Sequence, residues 1–444
     1  MRLKPFFSVM AAVLLAVLPS AARPETKKAE SLREFAMLAA EHTERLESSF
    51  SIPCDWTVSE ELKKPSSVNP EISQLSGIMT QAGCFGSFRI AWADDRVELT
   101  DVSYYTGWRI ARLWEAGRTD ALSGRERLIL ERAQALVSGI SGTDLEKERF
   151  IYDALCASVT YDVSEDGTGD KDNAAGALLN GRADCDGYAD AMLLCCTLVG
   201  IPCRYIHGKA ITSLRMNSRD GSHLWNLVRI GGSWLMCDVT WGDRGKEPSY
   251  LFFNLGRQDA SLSYHWNTTV QVAEIAPSAD FAVHFMPDQR PVTVTTREEV
   301  YRAAREKTMA GQARLMLCCP EEVFWQTDRE GFNSLLFRAG FSSWAYQESG
   351  RLFEASDVKL PDTPFRFCDT REDILFAIRV WADADVHTFT LYFHPDLAEE
   401  MFSDGLSPLQ QVLAESCLEG NGSFRYSAEA GCVVMENVSF STVR

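Results

Sequence analysis

Three residues whose types together can activate a thiol stand in the middle of the sequence: Cys185, His223 and Asp238. A cysteine attacks a carbonyl carbon as its thiolate, so it needs a general base and surroundings that favour ionisation. Histidine is the common base, and a carboxylate that bonds one imidazole nitrogen directs the other towards the thiol. The three residues therefore predict catalysis with Cys185 as nucleophile, His223 as base and Asp238 as the orienting group.

A helix is predicted to begin at the candidate nucleophile. A glycine-containing loop precedes Cys185, and Gly200 is suited to end the helix. Apolar residues recur on one face of this helix: Tyr188, Met192, Cys195 and Val199. The unpaired N–H groups at a helix N-terminus favour a thiolate and can donate to an oxyanion. The flanking Asp184 and Asp186 oppose ionisation of the thiol, unless one of them caps the helix.

A β-hairpin is predicted to carry the base and its partner. Residues 222–230 alternate as a strand, Gly231-Gly232 is a two-residue turn signal, and residues 233–241 form the returning strand. Asn226 is predicted to be a buried hydrogen-bonding residue on the core face. The apolar residues of that face are Leu224, Val228, Ile230, Leu235 and Val239.

The length of the turn fixes the register of this hairpin. If the turn has two residues, Ile230 lies opposite Ser233, and counting outward places Trp225 opposite Asp238. Residues that lie opposite each other share a face, so His223 and Asp238 become diagonal neighbours on one face. A slip of one residue would place them on opposite faces.

The order of these motifs resembles the transglutaminase-like superfamily of papain-like cysteine enzymes, over about residues 145–256. The motifs are Gly181-x-Ala-x-Cys185-x-Gly-Tyr-Ala, Gly200-Ile-Pro-Cys203, His223-x-Trp-Asn226 and Trp234 to Trp241. The resemblance implies an α+β, papain-like fold, in which a central helix packs on an antiparallel sheet. By position it assigns Cys185, His223 and Asp238 as the triad. Leu224 replaces the small residue usual at its position, and the side chain that assists the oxyanion in some members has no assignment here.

The first residues are predicted to be a signal peptide. Arg2 and Lys4 give a positive start, residues 6–18 are apolar, and small residues allow cleavage after Ala22. The apolar run is short for a membrane span, and no later stretch is predicted to cross a membrane. We therefore expect a secreted or extracytoplasmic protein without a transmembrane segment in the mature chain.

The charge of the chain argues against one class of partner. The formal net charge is −18, and a surface this acidic repels phosphate backbones. Nucleic acid is therefore not a predicted partner. The sequence contains no CxxC pair and no HExxH motif, so neither a metal nor another cofactor is predicted.

Thirteen cysteines are an odd number, so at least one thiol has no intramolecular disulfide partner. Cys54 and Cys84 lie in one β-like region, and they are the pair we expect first as a disulfide in an exported protein. Several cysteines lie in apolar runs and are predicted to be buried small hydrophobic residues: Cys195, Cys196, Cys203, Cys318 and Cys319.

The remaining sequence predicts flanking regions around the catalytic domain at residues 143–260. An N-terminal helix and β region is predicted at residues 23–142, with a helix over 28–48 and β-like runs over 50–108. Further helices are predicted from Ser123 and Thr143, each with a glutamate three residues later. Residues 261–290 are predicted to be a linker.

Two copies of a small α/β unit are predicted at residues 291–365 and 366–444. Residues 296–300 resemble residues 370–374, and each copy continues with a β-like run and a pair of strands. Gly350 and Gly431 occupy the matching turns. A substrate-binding or accessory role and a spacer role are both open for these copies.

The function predicted from these residues is an exported thiol enzyme that cleaves carboxamide or peptide bonds through a thioester. Water as acceptor gives a peptidase or amidase, which we favour, and an amine acceptor gives transamidation. The expected partner is a peptide or protein substrate, with cell-wall peptide among the candidates. The alternative is a catalytically silent transglutaminase-like protein that binds partners or acts as a scaffold at the cell surface.

Overall fold

The structure is a computed structural model, and it describes residues 27–64, 74–84, 87–164, 170–210, 222–244, 247–261, 263–266, 274–320, 324–349, 351–416, 418–419, 423–427 and 429–440. The predicted signal peptide at residues 1–22 and the predicted turn at Gly350 lie outside the described residues. The chain divides into two compact units, with the boundary between Gln289 and Arg290.

The first unit begins with a mixture of helices and strands. Its elements are α1 (Leu32–Glu44), β1 (Phe50–Pro53), α2 (Trp56–Lys63), α3 (Gln74–Gln81), β2 (Arg89–Trp92), β3 (Arg96–Thr100), α4 (Thr106–Glu115), α5 (Gly124–Leu136) and α6 (Asp144–Ser158). The strands form an antiparallel sheet in the order β1-β3-β2. The β-like runs predicted over 50–108 include β1, β2 and β3, and the sequence prediction missed α2, α3 and α4. Helices this short depend on tertiary packing more than on local sequence signals.

The starts of α5 and α6 agree with the sequence prediction. Ser123 caps α5 and Thr143 caps α6, each by accepting a hydrogen bond from the backbone N–H of a glutamate three residues later. The side chains of Glu126 and Glu146 return a bond to the N–H of the capping residue. Both helices therefore begin with a complete capping box, because each end satisfies two otherwise unpaired donors.

The second part of the first unit carries the candidate site. Its elements are β4 (Thr160–Tyr161), β5 (Arg182–Ala183), α7 (Cys185–Leu198), β6 (Cys203–Ala210), β7 (Ser222–Ile230), β8 (Ser233–Cys237), α8 (Val239–Gly242), α9 (Arg257–Ala260), β9 (Tyr264–Trp266) and α10 (Phe281–His284). Four of the strands form an antiparallel sheet in the order β8-β7-β6-β9. The strand β9 belongs to this sheet, so the prediction of a linker at 261–290 is wrong for these residues.

The packing of α7 against this sheet confirms the predicted role of Asn226. Its Nδ2 donates to the backbone carbonyl of Ala189 in α7, at 3.0 Å. Asn226 is buried, as are Leu224 and Val228 on the same face of β7. This α+β arrangement of a buried helix on an antiparallel sheet is the predicted one.

The second unit contains two copies of one topology. Its elements are β10 (Val292–Thr293), α11 (Arg297–Met309), β11 (Leu315–Cys318), α12 (Phe324–Thr327), α13 (Arg329–Arg338), β12 (Ser343–Ser349), β13 (Leu352–Lys359), β14 (Phe365–Cys368), α14 (Arg371–Asp383), β15 (Phe389–Phe393), α15 (Pro395–Met401), α16 (Ser407–Ala414), β16 (Leu418–Glu419), β17 (Ser423–Ser427), β18 (Cys432–Glu436) and β19 (Ser439–Phe440). One sheet has the order β10-β11-β13-β12 and the other β14-β15-β18-β17. In both, the first two strands are parallel and the last two form a hairpin.

The two copies also repeat their local signals. Thr296 caps α11 and Thr370 caps α14, and both helices begin with a capping box. Each copy has its own cluster of buried apolar residues between its helices and its sheet. The turn between β17 and β18 contains Gly431, whose φ of 54° is left-handed. The described residues of the two copies therefore share a strand order and a capped first helix.

One further sequence prediction is decided by the first unit. Cys54 and Cys84 are both buried free thiols, so the predicted disulfide between them is wrong. Each thiol lies in the apolar core of the N-terminal region, which explains its burial without a covalent partner. Among the helices of the described ranges, none has both the length and the apolar character needed to cross a membrane.

Candidate active site

Cys185 is the first residue of α7, as the sequence predicts. The preceding Asp184 has extended backbone angles, and its carboxylate accepts hydrogen bonds from the N–H groups of Asp186 and Gly187. Gly187 is required here, because a Cβ atom would come within 2.3 Å of the Lys171 carbonyl oxygen. Asp184 is thus the helix cap, and it leaves the candidate nucleophile at the positive end of the helix dipole.

The carboxyl groups beside Cys185 affect the pKa of its thiol. Burial, followed by the nearby Asp186 and Asp184, raises the pKa of the Cys185 thiol, whereas a backbone N–H group at Leu224 lowers it. Burial raises the pKa of Asp184 to about 6 and that of Asp186 well above its usual range. Both flanking carboxyl groups therefore ionise less readily than exposed aspartates do.

The hairpin that follows has the predicted register. Ile230 pairs with Ser233, and the ladder continues to the pair of Asn226 with Cys237. The turn residues Gly231 and Gly232 have φ angles of 58° and 86°, which side chains other than glycine rarely adopt. Strand β8 ends at Cys237, so the strand predicted to run to residue 241 is four residues too long. The chain turns there into α8.

The turn into α8 does not separate the base from its partner. The Nε2 atom of His223 lies 2.7 Å from Oδ2 of Asp238, and both side chains are buried. The backbone N–H of Trp241 donates to Oδ1 of Asp238 at 3.1 Å, because Asp238 caps α8. The Tyr264 hydroxyl donates to Oδ2 at 2.7 Å. Asp238 is therefore fixed by three donors.

Two tryptophan rings pack against the imidazole of His223. The rings of Trp225 and Trp241 lie at centroid distances of 5.6 and 5.4 Å from it, both within 30° of parallel. Trp241 is half-buried. Trp108, Trp225 and Trp266 are buried and belong to the core.

Cys185 and His223 are linked through the backbone of Leu224. Leu224, whose N–H group acts on the Cys185 thiol, is the residue after His223. The side chain of Cys185 contacts Oδ1 of Asp186 at 3.8 Å. The side chain of His223 contacts Asp238. Because Nε2 is taken by Asp238, Nδ1 is the imidazole nitrogen left for the thiol. Catalytic hydrogen bonds are often long before substrate binds.

A buried carboxylate missed by the sequence reasoning joins α7 to upstream segments. Asp190 accepts hydrogen bonds from the N–H groups of Gly107, Trp108 and Ala174 at 2.8, 3.1 and 2.8 Å, and from the Tyr205 hydroxyl at 2.5 Å. A Cβ atom on Gly107 would come within 2.5 Å of the Asp190 carboxylate. The start of α4 is thereby tied to the nucleophile helix.

Within the described ranges, no group of three or more His, Cys, Asp or Glu side chains is arranged to hold a metal ion. The groups present at the site are a thiol at a helix start, an imidazole bonded to a carboxylate, and backbone N–H donors. Such a set can attack a carbonyl carbon and stabilise the resulting oxyanion.

Part of the chain is similar to known proteins. Residues 132–239 match the family model of the transglutaminase-like superfamily. Kyphoscoliosis peptidase of human and that of mouse are each 30% identical over 135 residues, which is 29% of this chain and 19% of theirs. The chain thus spans about a fifth of the length of these curated relatives.

Two solved structures are also similar. A candidate cysteine protease from Cytophaga hutchinsonii is 21% identical, with a TM-score of 0.22, over 28% of this chain and 44% of that one. A structure described as a TGase is 11% identical, with a TM-score of 0.22, over 43% of this chain and 51% of that one.

Proposed function

We propose that the transglutaminase-like segment at residues 132–239 makes this chain a thiol enzyme that acts on carboxamide or peptide bonds. The observation that supports this most strongly is the buried 2.7 Å contact between His223 and Asp238, on a hairpin beside the helix that begins at Cys185. The cap of α8 by Asp238 does not involve His223, whereas orientation of a histidine base by a carboxylate does.

In this mechanism His223 takes the proton of the Cys185 thiol at Nδ1, and the thiolate attacks the carbonyl carbon of the substrate. The new C–S bond forms as the carbonyl π electrons move to oxygen, and the backbone N–H of Cys185 at the start of α7 donates to that oxyanion. The carbonyl re-forms, the C–N bond breaks, and His223 gives its proton to the departing amine. Asp238 keeps its charge and stabilises the imidazolium throughout.

The acyl-enzyme that remains is a thioester, and its acceptor decides the product. Water, deprotonated by His223, attacks the thioester carbon and releases a carboxylic acid with the Cys185 thiol. An amine that takes the place of water gives transamidation. We propose water as the main acceptor, since it is present at every extracytoplasmic location, and a peptide or protein as the substrate, with cell-wall peptide included.

Two observations favour a second function. The Cys185 thiol contacts Asp186 instead of His223, and burial raises its pKa, both of which disfavour a reactive thiolate in the free protein. A catalytically silent protein that uses the transglutaminase-like fold to bind a partner or to act as a scaffold would tolerate this arrangement.

An activated acetyl ester distinguishes these functions without knowledge of the natural substrate. The wild-type chain is incubated with p-nitrophenyl acetate, and intact-mass spectrometry with peptide mapping locates the acetyl group. A thioester at Cys185 that turns over, and that is absent from Cys185→Ala, supports the enzyme. A wild-type chain that gains no acetyl group at Cys185 rejects it. Digests of peptides and cell-wall fragments, with and without an added amine, then identify the acceptor.

A further inference from the structure

Tyr264 makes a contact with the base and its partner that the residues of the triad do not account for. Its hydroxyl donates to Oδ2 of Asp238 at 2.7 Å, which is the oxygen that Nε2 of His223 contacts at the same distance. Tyr264 is 1% exposed. One carboxylate oxygen therefore receives two donors, and both lie away from solvent.

The position of Tyr264 is fixed by the sheet and by ring packing. Strand β9 pairs with β6, with Ala210 opposite Tyr264. The Tyr264 ring lies 4.7 Å from the ring of Trp225 and 4.9 Å from that of Trp241, the two rings that also hold the imidazole. The hydroxyl thus reaches Asp238 from a strand that carries none of the three triad residues.

The three donors on Asp238 have different tasks. The N–H of Trp241 holds Oδ1 as part of a helix cap, so it fixes one end of the carboxylate. The imidazole of His223 is the second donor, and it is the group that Asp238 orients. Tyr264 is the third donor, and among the described residues it is the one that holds Oδ2 independently of the imidazole. Without the Tyr264 hydroxyl, Oδ2 of Asp238 would be held by the imidazole alone. The carboxylate and the imidazole ring would then move together.

We propose that Tyr264 is a positioning residue for the candidate triad, which acts through Asp238 to hold the ring of His223 with Nδ1 directed at Cys185. The inference rests on the proposed thiol chemistry for its kinetic consequence. The geometry that it explains, a second buried donor on Oδ2, does not depend on that chemistry.

The hydroxyl remains a donor over the working pH range. Burial, followed by the charge of Asp238, raises the pKa of Tyr264 well above its usual range, so the phenol keeps its proton. The other titratable groups whose charges act on His223 or Asp238 come from several elements and are His207 on β6, Cys185 on α7, Cys156 on α6 and Cys237 on β8.

The test compares Tyr264→Phe with a matched control, Tyr250→Phe, in the full chain. The Tyr250 hydroxyl also donates to a carboxylate, Oδ1 of Asp153, at 2.7 Å, and Tyr250 is buried. Each variant loses one Tyr–Asp hydrogen bond and keeps the aromatic ring, so the two should be destabilised to a similar extent. Thermal unfolding tests whether their stabilities are comparable. The readouts are kcat and KM for p-nitrophenyl acetate and the exchange rate of the His223 Nε2 proton, measured by NMR.

Tyr264→Phe is expected to lower kcat roughly tenfold, the rate equivalent of one hydrogen bond to a charged group, with KM unchanged. The Nε2 proton should exchange with water severalfold faster, and Tyr250→Phe should match the wild type in both readouts. Wild-type kinetics together with wild-type exchange in Tyr264→Phe would overturn the inference. If Cys185→Ala keeps full activity, the proposed function fails instead, and the exchange rate still decides the role of Tyr264.

Discussion

His223 and Asp238 are in contact across the β7–β8 hairpin, with Nε2 of the imidazole 2.7 Å from Oδ2 of the carboxylate. The two side chains expose 7% and 2% of their surface. A contact this well shielded is little weakened by salt, and it fixes which imidazole nitrogen remains free. The free nitrogen, Nδ1, is the atom that the proposed mechanism uses.

Replacement of Asp238 by asparagine should remove the orientation of the base. The amide of Asp238→Asn can donate to Nε2, which would place the imidazole proton on Nδ1 and leave no acceptor for the thiol. We expect acetylation of Cys185 by p-nitrophenyl acetate to slow by roughly 10²- to 10⁴-fold, the usual range for general-base catalysis. Asp153→Asn, which alters a carboxylate bonded to Tyr250, is the control and should acetylate like the wild type. A normal rate in Asp238→Asn would contradict the assigned role.

The carboxyl group of Asp186 should restrain ionisation of the thiol. It contacts Cys185 at 3.8 Å, and its charge contributes to raising the pKa of that thiol. Asp186→Asn removes this charge, so the midpoint of Cys185 alkylation against pH should fall by about one unit. Asp184→Asn retains a capping side chain and should shift the midpoint in the same direction. A midpoint that stays in place or rises in Asp186→Asn would be inconsistent with this electrostatic balance.

The hairpin turn offers a test of backbone conformation with a matched control. A Cβ atom on Gly232 meets nothing within 4 Å, but its φ of 86° is left-handed, so Gly232→Ala should lower the free energy of unfolding by about 1–2 kcal/mol. Gly124 also has open space and lies in the first turn of α5. Gly124→Ala should raise stability by about 0.4–1 kcal/mol. Urea unfolding measures both, and equal effects would refute the conformational explanation.

Much of the candidate site was predictable, because local rules govern it. A two-glycine turn fixes strand register, so the sequence alone places His223 and Asp238 on one face. The helix start at Cys185 follows from a capping residue and an apolar face, both visible within a few positions. The end of β8 was missed because Asp238 caps α8, a four-residue helix too short to show a period.

Other parts of the site depend on contacts between distant segments. Tyr264 lies 26 positions after Asp238, in a three-residue strand within a stretch read as a linker. The alternation of Tyr264 and Trp266 was the available signal, and it was too short to separate a strand from a loop. Asp190 and its donor at Gly107 are 83 positions apart. No local pattern identifies such a pair, since its stability comes from burial of the complete network.

A buried glutamate should make stability depend on pH. Glu148 is fully buried, and burial raises its pKa from 4.5 to about 8. The folded state therefore keeps a proton that the unfolded state loses. Stability is complete below pH 4.5 and falls as pH rises to about 8, by a loss on the order of a few kcal/mol.

Glu148→Gln removes this ionisation and retains an acceptor for Nδ2 of Asn254, which donates to Glu148 at 2.8 Å. Urea unfolding of wild type and variant at pH 5 and pH 8 measures the effect. The variant should be the more stable of the two at pH 8 and should show a smaller difference between the two pH values. If the free energy of unfolding changes between pH 5 and pH 8 by the same amount in the wild type and in the variant, the assignment is contradicted.

The most direct test of Cys185 as an activated nucleophile is the rate of its alkylation by iodoacetamide in the folded chain, compared between the wild type and His223→Ala. Peptide mapping by mass spectrometry reads every cysteine in one experiment. We predict selective labelling of Cys185 near neutral pH and a rate at least roughly tenfold lower in His223→Ala, since the base is gone. A folded wild type that leaves Cys185 unlabelled, or an equal rate in His223→Ala, would contradict the thiol mechanism.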